Sequence, residues 1–98
     1  MTIKQAKENK KLTVSVNGRI DTNTAPEFME FLKDVMVDIE ELVIDLAEVD
    51  YISSAGLRVL LYAQKTMNAL GSMTVINVNS DIMETFELTG FTDILNII

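Results

Sequence analysis

The chain has 98 residues, of which 48% are hydrophobic, and a formal net charge of −7. This length predicts one domain with its own core, and the absence of cysteine excludes disulfides and thiolate metal sites. Histidine is also absent, which removes the commonest general base and metal ligand, and the acidic charge without a basic run argues against direct nucleic-acid binding.

The first half of the chain predicts a hairpin followed by an amphipathic helix. Residues 2–8 form a weak strand, and residues 11–17 alternate apolar and polar side chains as a half-buried partner strand does. Residues 19–23 are predicted to form a loop. Thr24 and Glu27 have the spacing of a capping box, with a proline in the first turn. One apolar stripe follows on the helix: Ala25, Phe28, Met29, Leu32, Val35, Met36 and Ile39.

The second half predicts a strand, helix and strand that form a right-handed crossover. Residues 41–46 contain a continuous apolar run, typical of a strand buried on both faces. Gly71 is expected to end the helix that follows. After the strand at 41–46, the crossover continues with a helix over residues 58–70 and a strand over 73–78. A short helix is then predicted from residue 79 and is broken at 89–90, and residues 91–98 are predicted to form a short strand or a docked tail.

Two adjacent serines, Ser53 and Ser54, lie where the buried strand leads into its helix. A helix N-terminus exposes unpaired N–H groups and the positive end of the helix dipole, which favour negative charge. The other two predicted helices carry carboxylates near their start, namely Glu27 in one and Asp81 with Glu84 in the other. The serine helix has none. Two interpretations remain open: the serines only cap the helix, or Ser54 accepts a phosphate.

Phosphorylation of Ser54 would add roughly −1.5 to −2 charge units near neutral pH. That charge is large enough to block a docking surface by repulsion and desolvation. No histidine or similar base is available to activate Ser54 as a nucleophile. The serine is therefore interpreted as a substrate of another enzyme, and the chain is predicted not to be an enzyme.

Three segments together resemble a known family: Gly18-Arg19-Ile20-Asp21 with Ala25, Val43–Leu46 followed by Val49–Leu57, and Phe86–Phe91. The chain resembles the STAS domain family, specifically its stand-alone bacterial anti-sigma factor antagonists, over residues 1–98 as one domain. The resemblance implies an α/β fold with a mixed four- to five-stranded sheet and helices mainly on one face.

The resemblance also implies a partner-switching mechanism in transcription regulation. An unphosphorylated antagonist binds an anti-sigma factor that is also a serine kinase, and so frees the sigma factor. The kinase phosphorylates the antagonist and the complex separates, until a metal-dependent serine phosphatase reverses the step. Alignment on Gly56-Leu57 places the target at Ser54, with Ser53 as the fallback acceptor. The family pattern implies no cofactor.

Partner contacts are implied for the residues around the serine: Asp21, Thr22, Ser53, Ala55, Gly56, Leu57 and Arg58. For Asp21 two interpretations remain open. One is functional, in that Asp21 helps to present the serine or contacts the kinase; the other is structural, in that Asp21 caps a turn with Asn23 and Thr24. Arg58 is interpreted either as a phosphate partner or as a hydrated surface residue. Since neither a signal peptide nor a membrane span is recognisable, we expect a cytoplasmic protein without membrane contact.

Three alternatives compete with this reading. A phospho-aspartate receiver needs a lysine at the end of a late strand, and it is disfavoured because no lysine follows Lys65. A nucleotide-handling enzyme is disfavoured because the chain lacks a glycine-rich phosphate loop and an obvious base. A non-switching STAS scaffold, or a ligand-binding module in another signalling or transport complex, remains as the alternative within the family.

Overall fold

The computed structural model describes all 98 residues and contains one four-stranded sheet in the order β1-β2-β3-β4. The strands are β1 (Thr2–Glu8), β2 (Lys11–Ile20), β3 (Glu41–Ile52) and β4 (Ser72–Ile76). β1 pairs antiparallel with β2, whereas β2, β3 and β4 run parallel, so the sheet is mixed as predicted. The helices are α1 (Ala25–Val35), α2 (Ser54–Leu70) and α3 (Ser80–Thr89). None of them combines the length and hydrophobicity needed to cross a membrane.

The helices cover one face of the sheet. Val14, Ile44 and Val75 are paired across β2, β3 and β4, and all three are fully buried. They belong to one hydrophobic core that includes side chains from all three helices. On the opposite face Thr13 and Thr74 are only half-buried. The predicted α/β fold with helices mainly on one face is therefore confirmed.

The C-terminal residues dock on the outer edge of β4. The N–H of Val75 donates to the carbonyl oxygen of Asn96 at 2.9 Å, and the N–H of Ile98 donates to the carbonyl oxygen of Val75 at 3.0 Å. Ile97 forms a single parallel bridge with Val75. The tail is therefore docked beside β4, one of the two predicted alternatives, and the sheet has four strands, within the predicted four to five.

Two strands extend beyond their predicted ends. β2 continues to Ile20 and β3 continues to Ile52, and these ends pair with each other. Arg19 therefore lies in a strand and not in the predicted loop. The ladder between distant segments supplies hydrogen bonds that the local sequence does not indicate. α2 begins at Ser54, four residues before the predicted start at Arg58.

Gly71 ends α2 as predicted, but for a steric reason. Its φ of 169° is an extended conformation that any residue adopts. A Cβ at this position would collide with the carbonyl group of Glu40. The same carbonyl accepts a 2.9 Å hydrogen bond from the N–H of Ser72. Only glycine lets the chain pass this closely into β4.

Candidate functional site

The parallel ends of β2 and β3 bring two predicted segments together. Ile20 pairs with Ile52, and the N–H of Ser53 donates to the carbonyl oxygen of Ile20 at 2.8 Å. Asp21 follows Ile20 directly, so its loop and the serine pair leave the sheet side by side. Both segments therefore lie at the same end of the sheet.

Ser53 is the N-cap of α2. Its backbone is extended, with φ −93° and ψ 175°, and its hydroxyl accepts a hydrogen bond from the N–H of Gly56 at 3.3 Å. Its carbonyl oxygen accepts the first helical hydrogen bond, from the N–H of Leu57 at 2.9 Å. The side chain is half-buried. Ser53 therefore does what the capping interpretation predicts, and its hydroxyl is already engaged.

Ser54 is the first residue of α2, and it differs from Ser53 both in exposure and in hydrogen bonding. Its side chain is exposed, and its hydroxyl has no hydrogen-bond partner within the protein. The first turn of α2 contains no acidic residue, as predicted, whereas α1 has Glu27 and α3 has Asp81 there. The hydroxyl of Ser54 is therefore accessible beside an N-terminus that no carboxylate compensates.

Gly56 and Leu57 lie on the side of α2 that faces the sheet. A Cβ on Gly56 would be 2.7 Å from a side-chain carbon of Ile20 and 2.7 Å from one of Ile52, so the glycine lets α2 pack closely on the sheet ends. Leu57 is 6% exposed and belongs to the core. The prediction that the Leu57 side chain forms part of a docking surface is wrong, because that face of the helix turns towards the sheet. Ala55, which lies between Ser54 and Gly56 in the chain, is half-buried.

Asp21 orders the loop that precedes α1. Its Oδ1 accepts hydrogen bonds from the N–H of Asn23 at 2.9 Å and of Thr24 at 3.0 Å. The hydrogen bond from Thr24 is the main cause that lowers the pKa of Asp21, opposed by desolvation, with Asn23 and Arg19 acting in the same direction as Thr24. The capping role that the sequence left open is therefore present. Its Oδ2 lies 3.6 Å from Nε of Arg19.

The predicted capping box at the start of α1 does not form. Thr24 has helical backbone angles, φ −96° and ψ −22°, and its side chain makes no capping hydrogen bond. Its hydroxyl instead accepts from the N–H of Asp21 at 2.8 Å and donates to the carbonyl oxygen of Arg19 at 2.8 Å. Thr24 therefore fastens the loop back onto β2, and the neighbouring Thr22 is exposed at the loop surface.

Arg19 and Tyr51 form a contact that the sequence did not suggest. They are paired in the β2–β3 register, and the Arg19 guanidinium carbon lies 4.2 Å from the centroid of the Tyr51 ring. Tyr51 is 42% exposed. The only sequence signal was an aromatic residue just before the serines, and its partner depends on the register of two distant strands. The pair adds a cation–π contact next to Asp21.

No concave site is present at the serine end of the domain. Surface concavities lie at the β1–β2 turn and near the C-terminal ends of α1 and α2, and neither Ser53 nor Ser54 lines any of them. No group of three or more acidic residues is arranged to hold a metal ion.

Comparisons with known proteins agree with this architecture. The STAS domain family model matches residues 2–98. An anti-sigma-B factor antagonist of Listeria monocytogenes is 39% identical over 89 residues, covering 88% of this chain and 77% of the relative. One from Staphylococcus aureus is 27% identical over 99 residues, covering 99% and 92%. The crystal structure of an anti-sigma factor antagonist from Mycobacterium paratuberculosis superposes with a TM-score of 0.89 at 27% identity, covering 98% of this chain and 83% of that one.

Proposed function

Because the chain belongs to the STAS domain family, we propose that it is an anti-sigma factor antagonist whose binding is controlled by phosphorylation of Ser54. The names of the similar bacterial proteins support the antagonist role. The observation that carries the phosphorylation step is the difference between the two serines. Ser53 uses its hydroxyl to cap α2, while the Ser54 hydroxyl is exposed and unpartnered.

The position of Ser54 makes a phosphate effective without refolding the domain. The N-terminal N–H groups and the dipole of α2 stabilise an anion at this position, and no carboxylate is there already. An added charge of roughly −1.5 to −2 units changes an exposed surface and leaves the core untouched. Repulsion and desolvation then weaken a complex that the unmodified surface forms.

In this proposal another protein transfers the phosphoryl group from ATP to the hydroxyl of Ser54. The chain has no histidine or other obvious base to activate Ser54, and so it acts as a substrate and binding protein without a cofactor. The partner is an anti-sigma factor that is also a serine kinase, and a metal-dependent serine phosphatase reverses the modification. The setting is the bacterial cytoplasm, where the sigma factor that is freed directs transcription.

The docking surface consists of the exposed and half-buried groups around Ser54. Asp21 and Thr22 contribute from the loop after β2, and Arg58 contributes from the second turn of α2. Tyr51, stacked against Arg19, extends this surface next to Asp21. Ala55 is half-buried at its margin, whereas Gly56 and Leu57 support it from below. Ser53 holds α2 in position through its capping hydrogen bond.

Phosphate transfer to defined variants tests this proposal. The chain is incubated with its anti-sigma factor and ATP, and the modified residue is located by peptide mass spectrometry. Ser54→Ala removes the proposed acceptor, while Ser53→Asn removes the neighbouring hydroxyl and keeps an N-cap of comparable strength. We expect one phosphate in the wild type and in Ser53→Asn, and none in Ser54→Ala.

Two results would contradict the proposal. Modification at Ser53 would move the switch to the fallback acceptor. A stable complex without any phosphate transfer would instead indicate the non-switching scaffold.

A further inference from the structure

α2 is the one helix of this acidic chain that contains no acidic residue. α1 carries three carboxylates and α3 carries three, whereas the 17 residues of α2 include none. Its charged side chains are Arg58 and Lys65, which give it two positive charges in a chain with a net charge of −7. Negative charge placed on α2 therefore has no acidic neighbour on the same helix.

Arg58 has no carboxylate partner. The four salt bridges of the structure involve other cations, and Arg58 is exposed. It follows Ser54 by four residues in the same helix, which places the two side chains about 40° apart around the helix axis, with Cβ atoms about 5–6 Å apart. The other helical neighbours of Arg58 are Ala55, Leu61 and Tyr62, and none of them competes for the guanidinium group.

Charged groups from neighbouring elements do not replace Arg58. Arg19, at the end of β2, already faces Asp21 at 3.6 Å and the ring of Tyr51 at 4.2 Å. Asp50, near the end of β3, is exposed and has the same sign as a phosphate. Arg58 is therefore an uncommitted cation at this end of the domain, on the same helix as Ser54.

We propose that Arg58 forms an ion pair with the phosphoryl group on Ser54, an inference that rests on Ser54 being the modified residue. An anion four residues before a cation is the favourable order of such a helical pair, and a guanidinium group can donate two hydrogen bonds to phosphate oxygens. Phosphorylation then changes the docking surface twice. It adds an anion, and it withdraws the cation that the free surface offers to a partner.

The test uses a chain in which phosphoserine is incorporated at position 54 during translation, so that no kinase is needed. The second pKa of the phosphate is measured by 31P NMR in this chain, in its Arg58→Gln variant and in its Lys65→Gln variant. Lys65→Gln removes the same charge from the same helix, at a position roughly 16 Å from Ser54 along the helix axis. Fixed contributions from Arg19, Asp21, Asp50 and the helix dipole cancel in the comparison.

We expect Arg58→Gln to raise the second pKa of the phosphate by roughly 0.2–0.4 unit and Lys65→Gln to leave it unchanged. The difference should shrink in about 1 M salt, where exposed charges are screened within a few ångströms. Equal titration of Arg58→Gln and the unsubstituted chain overturns the ion pair, and so does an equal shift in both variants. Neither result bears on whether a kinase modifies Ser54, which the mapping experiment decides separately.

Discussion

The 2.8 Å hydrogen bond from the N–H of Ser53 to the carbonyl oxygen of Ile20 joins the start of α2 to the end of β2. It fixes the serine pair next to the loop that Asp21 orders. A partner that contacts Ser54 therefore also meets Asp21 and Thr22, which are 32 or more residues away along the chain.

Charge at Ser54 is expected to weaken partner binding. Ser54→Asp should raise the dissociation constant for the anti-sigma factor at least tenfold, about 1.4 kcal/mol, because a carboxylate there repels and desolvates the docking surface. Ser54→Ala should bind as the wild type does. Isothermal titration calorimetry measures both. Ser80→Asp is the matched control, because Ser80 is the exposed first residue of α3. Equal affinity of Ser54→Asp and the wild type would count against the switch.

Loss of the Ser53 hydroxyl is expected to lower the stability of the fold and to leave Ser54 able to accept a phosphate. Ser53→Ala removes the cap on the N–H of Gly56 and should lower the free energy of unfolding by about 1 kcal/mol. Ser53→Asn should restore most of it, since asparagine caps as well as serine. Ser54→Ala, at an exposed unpartnered site, should stay within about 0.5 kcal/mol of the wild type. Urea unfolding compares the three, and a Ser54→Ala loss as large as that of Ser53→Ala would refute the assignment of the cap.

A side chain at Gly56 is expected to disturb the packing of α2. Gly56→Ala places a Cβ 2.7 Å from carbons of both Ile20 and Ile52, and overpacking of this kind costs about 1–3 kcal/mol. Ala55→Gly is the control on the adjacent half-buried position, where no such contact is created. Unfolding in urea gives the stability of each variant. A Gly56→Ala chain as stable as the wild type would mean that α2 does not approach the sheet this closely.

The carboxylate of Asp21 is expected to contribute stability only where it is ionised. Hydrogen bonds from Thr24 and Asn23 lower its pKa in the folded state, so its contribution is present above the pKa of an unfolded aspartate, about 3.9, and is lost as the pH falls through the folded value. Asp21→Ala should therefore be less stable than the wild type at pH 7, with a smaller difference near pH 2. Unfolding at the two pH values measures this.

The control for Asp21 is Asp93→Asn, an exposed carboxylate on the turn after α3 that makes no side-chain hydrogen bond. Its effect should be small at pH 7. If the Asp21→Ala difference were the same at pH 7 and pH 2, the charged form of the side chain would not be what holds the loop.

Local patterns predicted most of the fold. Alternation predicted β2, and the apolar stripe predicted α1. The sequence also correctly predicted that the helix beginning near Ser54 has no carboxylate in its first turn. The pattern at Thr24 failed, because a threonine followed by a glutamate three residues later fits a capping box equally well whether or not the hydroxyl turns back to Arg19.

Periodicity and hydrogen bonding within a few residues were enough to predict the order of the strands and helices and that Ser53 and Ser54 lie where a strand leads into a helix. They did not predict the ends of β2 and β3 or the first residue of α2. The structure was needed to show which serine hydroxyl is free, that Leu57 is buried, and that Arg19 stacks on Tyr51. The burial and the stacking depend on the parallel pairing of β2 with β3. Its register is set by packing across the whole core, and no short stretch of sequence encodes it.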